Sequence, residues 1–281
     1  MRIPGVVDIV TLRDAAALSA AAVDTRLDRP APGRGPFLNR IIARAARRTL
    51  SARGQFLPSA MARTDYRRTD MRTALSARLE ASGLDAALSE PVRRAAVFVS
   101  TGEGKALELA QALIGPAVID GFAPTRDSVK AAEAIGRALN GSFVTRLADR
   151  LTGRSRAALS NLHRIAQGDL TAVHGLGIAA QNMAASLEAL RGMPRTASAE
   201  AALARAMIAP RRVVRQGVAR GESLSGPLRP GTIVMLRVGD ATRRTLDPRV
   251  AFLSEAWSGC PAHGFVPRVL RRVWDEAAGA S

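Results

Sequence analysis

The chain has 281 residues, is 47% hydrophobic but only 4% aromatic, and carries a net charge of +17. Its one cysteine excludes an intramolecular disulfide framework and any four-cysteine metal site. No run approaches the ~18 apolar residues of a membrane span, and Asp8, Arg13 and Asp14 ahead of the first Ala-rich run make a poor secretory signal, so the sequence points to the cytoplasm. VVDIV (6–10) alternates and is β-branched, which predicts a short strand. Thr11 and Asp14 then stand at capping-box spacing ahead of an Ala-rich helix over 11–24. RPAPGRGP (29–36) reads as a loop from its Pro and Gly content. FLNRIIARAARRTL (37–50) predicts a helix with Leu38, Ile41, Ile42 and Ala45 on its apolar face, and 63–79, 91–114 and 127–151 are further helical candidates.

The longest predicted helix is DLTAVHGLGIAAQNMAASLEALR (169–191), with Asp169 as its cap. Its middle is rich in small residues, and Gly175 and Gly177 allow close packing against a flat partner. After Pro210 the period changes: Val213, Val214 and Val218, a Gly/Ser/Pro turn, and Thr232 to Val238 read as strand, turn, strand. A loop then carries Cys260. The last helix shows the stripe Phe265, Val266, Val269, Leu270, Val273 and Trp274, and Pro267 puts its start nearer 265 than 261. The whole reads as a mainly α chain over 1–281 with a small β element, long enough for one large domain or two small ones.

The chemistry-bearing residues are few. Lys105 and Lys130 are the only lysines among 41 basic residues, the arginines are scattered from Arg2 to Arg272, and Tyr66 is the sole tyrosine. Basic clusters without interleaved aromatics argue against a nucleic-acid partner. An arginine-rich helical polyanion binder stays open as an alternative, recognisable by a steep loss of affinity with salt. STGEGKALELA (100–110) fails the phosphate-loop pattern at Val99 and Ala106 and reads as a loop and a helix start. His263 forms a Cys-x-x-His with Cys260, but only His163 and His174 remain, too few for the usual four zinc ligands. Cys260 itself is either a small structural hydrophobe or a thiolate ligand favoured near a helix N-terminus.

The closing order of long helix, second helix, hairpin, cysteine loop and final helix resembles the C-terminal half of the cytochrome P450 family. SLSGPLRPGTIVMLRVGDATR (223–243) is similar to the family's strand pair, and DPRVAF (247–252) leads into the cysteine loop. Ala262 suits the small residue after the cysteine, and VVDIVTLRDAAALSAAAVDTRL resembles the family's opening strand and helix. The resemblance is strongest over 205–277 and implies a short, N-terminally shortened member. It implies a helical haem-thiolate domain holding haem b, with Cys260 as the axial iron ligand. It also implies Arg215 as a propionate partner, and Arg68 and Arg72 as a pair matching the family's His-x-x-x-Arg. The long helix would line the distal face, with Gln181 and Asn182 where the family places its acid and hydroxyl residues. The implied activity is oxidation of a small hydrophobic organic substrate, of monooxygenase or peroxygenase type. A ferredoxin or reductase, or peroxide, would be the oxidant source, and no membrane is implied.

The sequence departs from the family pattern at several points. Phe252 lies eight residues before Cys260, one more than the pattern, and Ser254, Ala256 and Ser258 stand where glycines and a basic residue are expected. In the Glu-x-x-Arg pair Arg205 would be the arginine, but Ala202 occupies the glutamate position and Glu200 lies five residues away. Neither Gln181 nor Asn182 delivers a proton as an acid does. These departures leave a second alternative open, a catalytically degenerate binding or partner protein of the same fold.

Overall fold

The structure is a computed structural model, and it describes residues 1–82, 88–142, 145, 148–149, 152–207, 210–223 and 226–279. The chain divides into two compact units, one of Met1–Leu50, Ser59–Thr69 and Ile208–Cys260, the other of Ser51–Pro58, Asp70–Met207 and Pro261–Ser281. Its strands are β1 (Arg2–Ile3), β2 (Val7–Leu12), β3 (Leu27–Asp28), β4 (Ser51–Ala52), β5 (Gln55–Phe56), β6 (Val213–Gly217), β7 (Gly221–Ser223), β8 (Gly226–Leu228) and β9 (Ile233–Leu236). The remaining regular structure is helical, so the mainly α reading with a small β element holds. Among the described residues no helix is long and apolar enough to cross a membrane.

The first unit is built on a five-stranded mixed sheet in the order β1-β2-β9-β6-β3. β2 pairs parallel with β9, placing Ile9 beside Ile233 and Leu12 beside Leu236, while β6 runs antiparallel to β9 with Arg215 opposite Val234. The predicted strand–turn–strand is therefore real, with the small β7–β8 hairpin inserted in its turn. Val10, Leu12, Val234 and Leu236 meet Leu18, Ala22, Val250 and Leu253 in one apolar core. At ~25 cal/mol per Å² of apolar surface removed from water, such burial is the main force holding the unit.

One helix boundary and one helix face in this unit differ from expectation. β2 runs on through Thr11 and Leu12, so no capping box forms; Asp14 itself caps the Ala15–Val23 helix, accepting from Ala17 N at 3.0 Å. In the Phe37–Thr49 helix the inward positions are Asn39 and Ala43, while Leu38 is 36% exposed. Asn39 turns inward because it has polar work there: it donates to Asp8 O and Gly231 O at 2.7 and 2.8 Å and accepts from Asp8 N at 3.1 Å. A buried amide with its bonds made is tolerated where an unmade one is costly.

The second unit is a helical assembly. The 91–114 candidate is two helices, Ser89–Thr101 and Ala106–Val118, interrupted where Gly102 takes φ +82° as a left-handed C-cap. The 127–151 candidate is the Arg126–Asn140 helix, capped by a Thr125–Ser128 box; most of 141–151 lies outside the described residues. The long helix runs from Leu170 to Arg191 and contains a π-helical turn at Gly175–Ala179. Asp169 caps it as expected, accepting from Thr171 N at 2.7 Å. A π turn sets a backbone carbonyl off its usual ladder, and here Gln111, fully buried, donates to Leu176 O at 3.0 Å and to Ser128 O at 3.1 Å. The Gly-x-Gly is explained within the unit: a Cβ at Gly177 would stand 3.0 Å from both Ile135 and Leu162, and one at Gly175 would stand 3.3 Å from Val118. Neighbouring helices, not a flat ligand, occupy that space.

Candidate functional site

The cysteine loop begins where Asp247 caps the short Pro248–Phe252 helix by accepting from Arg249 N at 2.8 Å. Leu253 then turns the chain with φ +46°, a left-handed conformation that L residues seldom adopt. The backbone winds back on itself: Ser254 N donates to Arg249 O, Ala256 N to Leu253 O, Gly259 N to Ala256 O and Cys260 N to Phe252 O. A Cβ at Gly259 would lie 2.7 Å from Leu253 O and 2.9 Å from Ser254 O, so a glycine is required at that point.

Cys260 is a half-buried cysteine outside any disulfide, at the end of that loop. The sequence that follows forms a 3₁₀ turn at Pro261–His263, and the amphipathic helix begins only at Phe265. The thiol is therefore not at the helix N-terminus, and the expected help from the helix dipole falls away. The apolar stripe of that helix is otherwise as read, with Phe265, Val269, Leu270, Val273 and Trp274 buried and Val266 only partly so.

Three arginines gather around the indole of Trp257, three residues before the cysteine. Their guanidinium carbons stand 4.4 Å (Arg68), 5.2 Å (Arg215) and 5.5 Å (Arg29) from the ring centroid. Each such contact contributes roughly 0.5–2 kcal/mol, more as water is excluded. Arg68 is 8% exposed and donates to Trp257 O at 2.6 Å. Arg215 on β6 is 1% exposed and donates to Val214 O at 3.3 Å and to Ser258 Oγ. The Nε atoms of Arg215 and of Arg29 are buried without a hydrogen-bond acceptor.

Burial and mutual repulsion set the electrostatics of Arg215 and Arg29. Burial, then the charge of Arg68, lowers Arg215 from its usual value to about 9, against a small opposing pull from Asp28. Burial, then Arg215 and Arg68, lowers Arg29 well below its ordinary value, again opposed by Asp28. Asp28 Oδ1 accepts from two backbone amides, Arg29 N at 2.7 Å and Arg63 N at 2.8 Å. Three cations held together at low dielectric make a ready site for an anion.

The other expected residues are placed elsewhere. Arg72, one turn beyond Arg68, is half-buried and belongs to the second unit. Gln181 donates to Ala132 O at 2.7 Å, and its amide fills the space over Gly136, where a Cβ would stand 2.6 Å from it. Asn182 is half-buried on the same helix, and its backbone carbonyl accepts from Ser186 Oγ. Arg205 is exposed, Ala202 is fully buried, and Glu200 pairs with Arg271, so the Glu-x-x-Arg brace is not formed by these residues. Sequence reading missed Arg29 and Trp257, both of which join the cluster only through the fold.

No protein-family model matches the chain, and no curated protein matches it in sequence. Solved structures do match in fold. The methyl hydroxylase MycCI of Micromonospora griseorubida, solved with mycinamicin VIII bound, aligns over 99% of this chain and 83% of its own, at 14% identity and a TM-score of 0.54. The chain has a cytochrome P450-like fold. CYP105D6 aligns over 95% of this chain and 78% of its own at 16% identity, with a TM-score of 0.37. Within a P450-like fold, the β6–β9 ribbon and the loop carrying Cys260 are the elements on which the sequence resemblance was strongest, and they belong to one unit.

Proposed function

We propose that this chain is a haem-thiolate oxidoreductase that oxidises a small hydrophobic organic substrate. The observation that carries the reading is the arginine cluster around Trp257, beside the loop that ends in Cys260. Haem presents one thiolate-seeking iron and two carboxylates, and these residues offer one thiol and a surplus of buried positive charge. The donor set therefore fits. Cys260 would ligate the iron, and Arg68 and Arg215 would bind the propionates. Haem, when bound, supplies the redox chemistry of oxygen or peroxide activation. A ferredoxin or reductase, or peroxide itself, would supply the oxidising equivalents, and residues 1–281 would act as one haem domain in the cytoplasm.

The chain's own residues set the local conditions. Ser258 receives the Arg215 hydrogen bond and fixes the loop two residues ahead of the thiol. In the second unit the Gln181 amide is committed to Ala132 O, which leaves Asn182 as the polar residue for the role that the resemblance assigns to the long helix, and Arg72 would serve the haem as the second member of the Arg68–Arg72 pair. Asn182 orients a hydrogen bond but supplies no acidic proton. The similarity to a hydroxylase that binds mycinamicin VIII supports an organic substrate and a monooxygenase- or peroxygenase-type oxidation.

The test is an absorption spectrum of the purified, reduced protein under carbon monoxide, beside a Cys260→Ala variant. A strongly red-shifted Soret band that disappears in the variant is the expected result. If neither protein takes up haem on reconstitution, the reading fails. The second reading, a degenerate binding or partner protein of this fold, is favoured by buried Ala202 and by the Glu200–Arg271 pair. It predicts folded, haem-free protein.

A further inference from the structure

We infer that Arg29 is a third anion-binding arginine of this chain, held with Arg68 and Arg215 around Trp257 to engage the carboxylates of the haem. The inference rests on the haem reading above but concerns a residue that no family motif singles out. Arg29 follows β3, in the loop 29–36, and reaches the cluster from a different part of the sheet from Arg215 on β6. β3 pairs with β6 at Asp28 and Gln216, next to Arg29 and Arg215 respectively, so the strand register itself brings the two arginines together. The loop is pinned there: Ala31 N donates to the buried Gln216 Oε1 at 2.7 Å, and Gln216 Nε2 donates to Arg34 O at 3.2 Å.

What distinguishes Arg29 from a surface arginine resting on a ring is its unspent donor. Its Nε is buried with no acceptor, and Oδ1 of Asp28, the carboxylate whose charge acts on it, accepts from two backbone amides. Placing a third cation beside two buried ones raises the energy of the ligand-free protein. Such an arrangement is repaid when a ligand with two negative charges binds the folded state. The fork of a guanidinium matches a carboxylate in two parallel hydrogen bonds, which a lysine cannot make. Arg29 thus trades stability of the empty protein for affinity toward a dicarboxylate.

The experiment compares the full chain with Arg29→Gln and Arg29→Lys, each titrated with haemin and with haemin dimethyl ester, whose propionates are uncharged. Soret absorbance reports binding, and denaturant unfolding reports stability of the haem-free proteins. Arg29→Gln is expected to bind haemin about tenfold more weakly, to bind the ester as the wild type does, and to unfold at a higher denaturant midpoint when haem-free. Arg29→Lys is expected to lose haemin affinity to a lesser degree, again with no change for the ester; it carries the test if the Gln variant does not fold. Equal losses for haemin and ester would make Arg29 a structural residue and overturn the inference, as would unchanged haemin affinity in both variants. A wild-type protein that binds haemin through Cys260 while Arg29 proves silent leaves the proposed function standing. A wild type that binds neither compound removes both.

Discussion

Arg215 is fully buried, donates to Ser258, and shares its surroundings with two other cations. A charge desolvated in this way destabilises the empty fold unless something negative meets it. Arg215→Met is therefore expected to weaken haemin binding by tenfold or more, yet to leave the haem-free protein at least as resistant to denaturant. A Soret titration and an unfolding curve check the two halves, and a variant that weakens both would mark Arg215 as structural. Gly231 makes the opposite kind of point. It takes φ +91°, and a Cβ there would lie 2.1 Å from Gly35 Cα, where only backbone stands and nothing can yield. Gly231→Ala should cost about 3 kcal/mol or more, from strain and overpacking together, seen as a lower denaturant midpoint. Sequence reading picked out Arg68 and Arg215 because a family pattern marks their positions. Arg29 and Trp257 carried no such mark, and proximity across strands is invisible in one dimension.

Among the elements, the Pro248–Phe252 helix depends on its first residue. Asp247 accepts from Arg249 N, and the Arg249 side chain bonded to it holds its carboxyl below the usual carboxylate range. Asp247→Ala is expected to cost about 1 kcal/mol through loss of the cap. A carboxyl whose folded value is depressed adds stability above its unfolded value, near 4, and loses it as the pH falls through the folded value. Asp247→Asn keeps the cap without the charge, so its deficit against the wild type should shrink below about pH 4 in urea unfolding; a deficit constant with pH would contradict the assignment. In the second unit Gln111 satisfies Leu176 O at the π turn and accepts from Ser128 Oγ at 2.8 Å. Gln111→Leu removes three buried hydrogen bonds, to Leu176 O, to Ser128 O and from Ser128 Oγ, and should cost about 2 kcal/mol or more, measured by thermal unfolding. The π turn could not be read from GLGIA, because its carbonyl is satisfied by a residue 65 positions away.

At the scale of the molecule, a net charge of +17 sits on a chain whose ion pairs are mostly at the surface, such as Arg93–Glu90 and Arg78–Asp120. Such pairs contribute about 0–1 kcal/mol each, so mutual repulsion of the excess arginines outweighs them. The haem-free protein should therefore become more stable as ionic strength rises from low to moderate values, because screening weakens repulsion over distances beyond ~10 Å. A midpoint that falls with added sodium chloride would show that the surface pairs dominate.

The sequence by itself determined the helical character, through Ala-rich 3.6-residue periodicity, and the strand pair after Pro210, through β-branched residues bounded by Gly and Pro. It also determined the order of elements that carries the P450 resemblance, and the start of the last helix near Phe265. These are local properties, set by propensity and spacing over a few turns. Only the tertiary structure decided that Asn39 faces inward, that β2 joins β9 in parallel, that Gly175 and Gly177 receive neighbouring side chains, and that Arg29 meets Arg68 and Arg215 over Trp257. Each of those depends on residues far apart in the chain, whose hydrogen bonds, burial and charge acquire meaning only once the sheet and the helices have brought them within a few ångströms of one another.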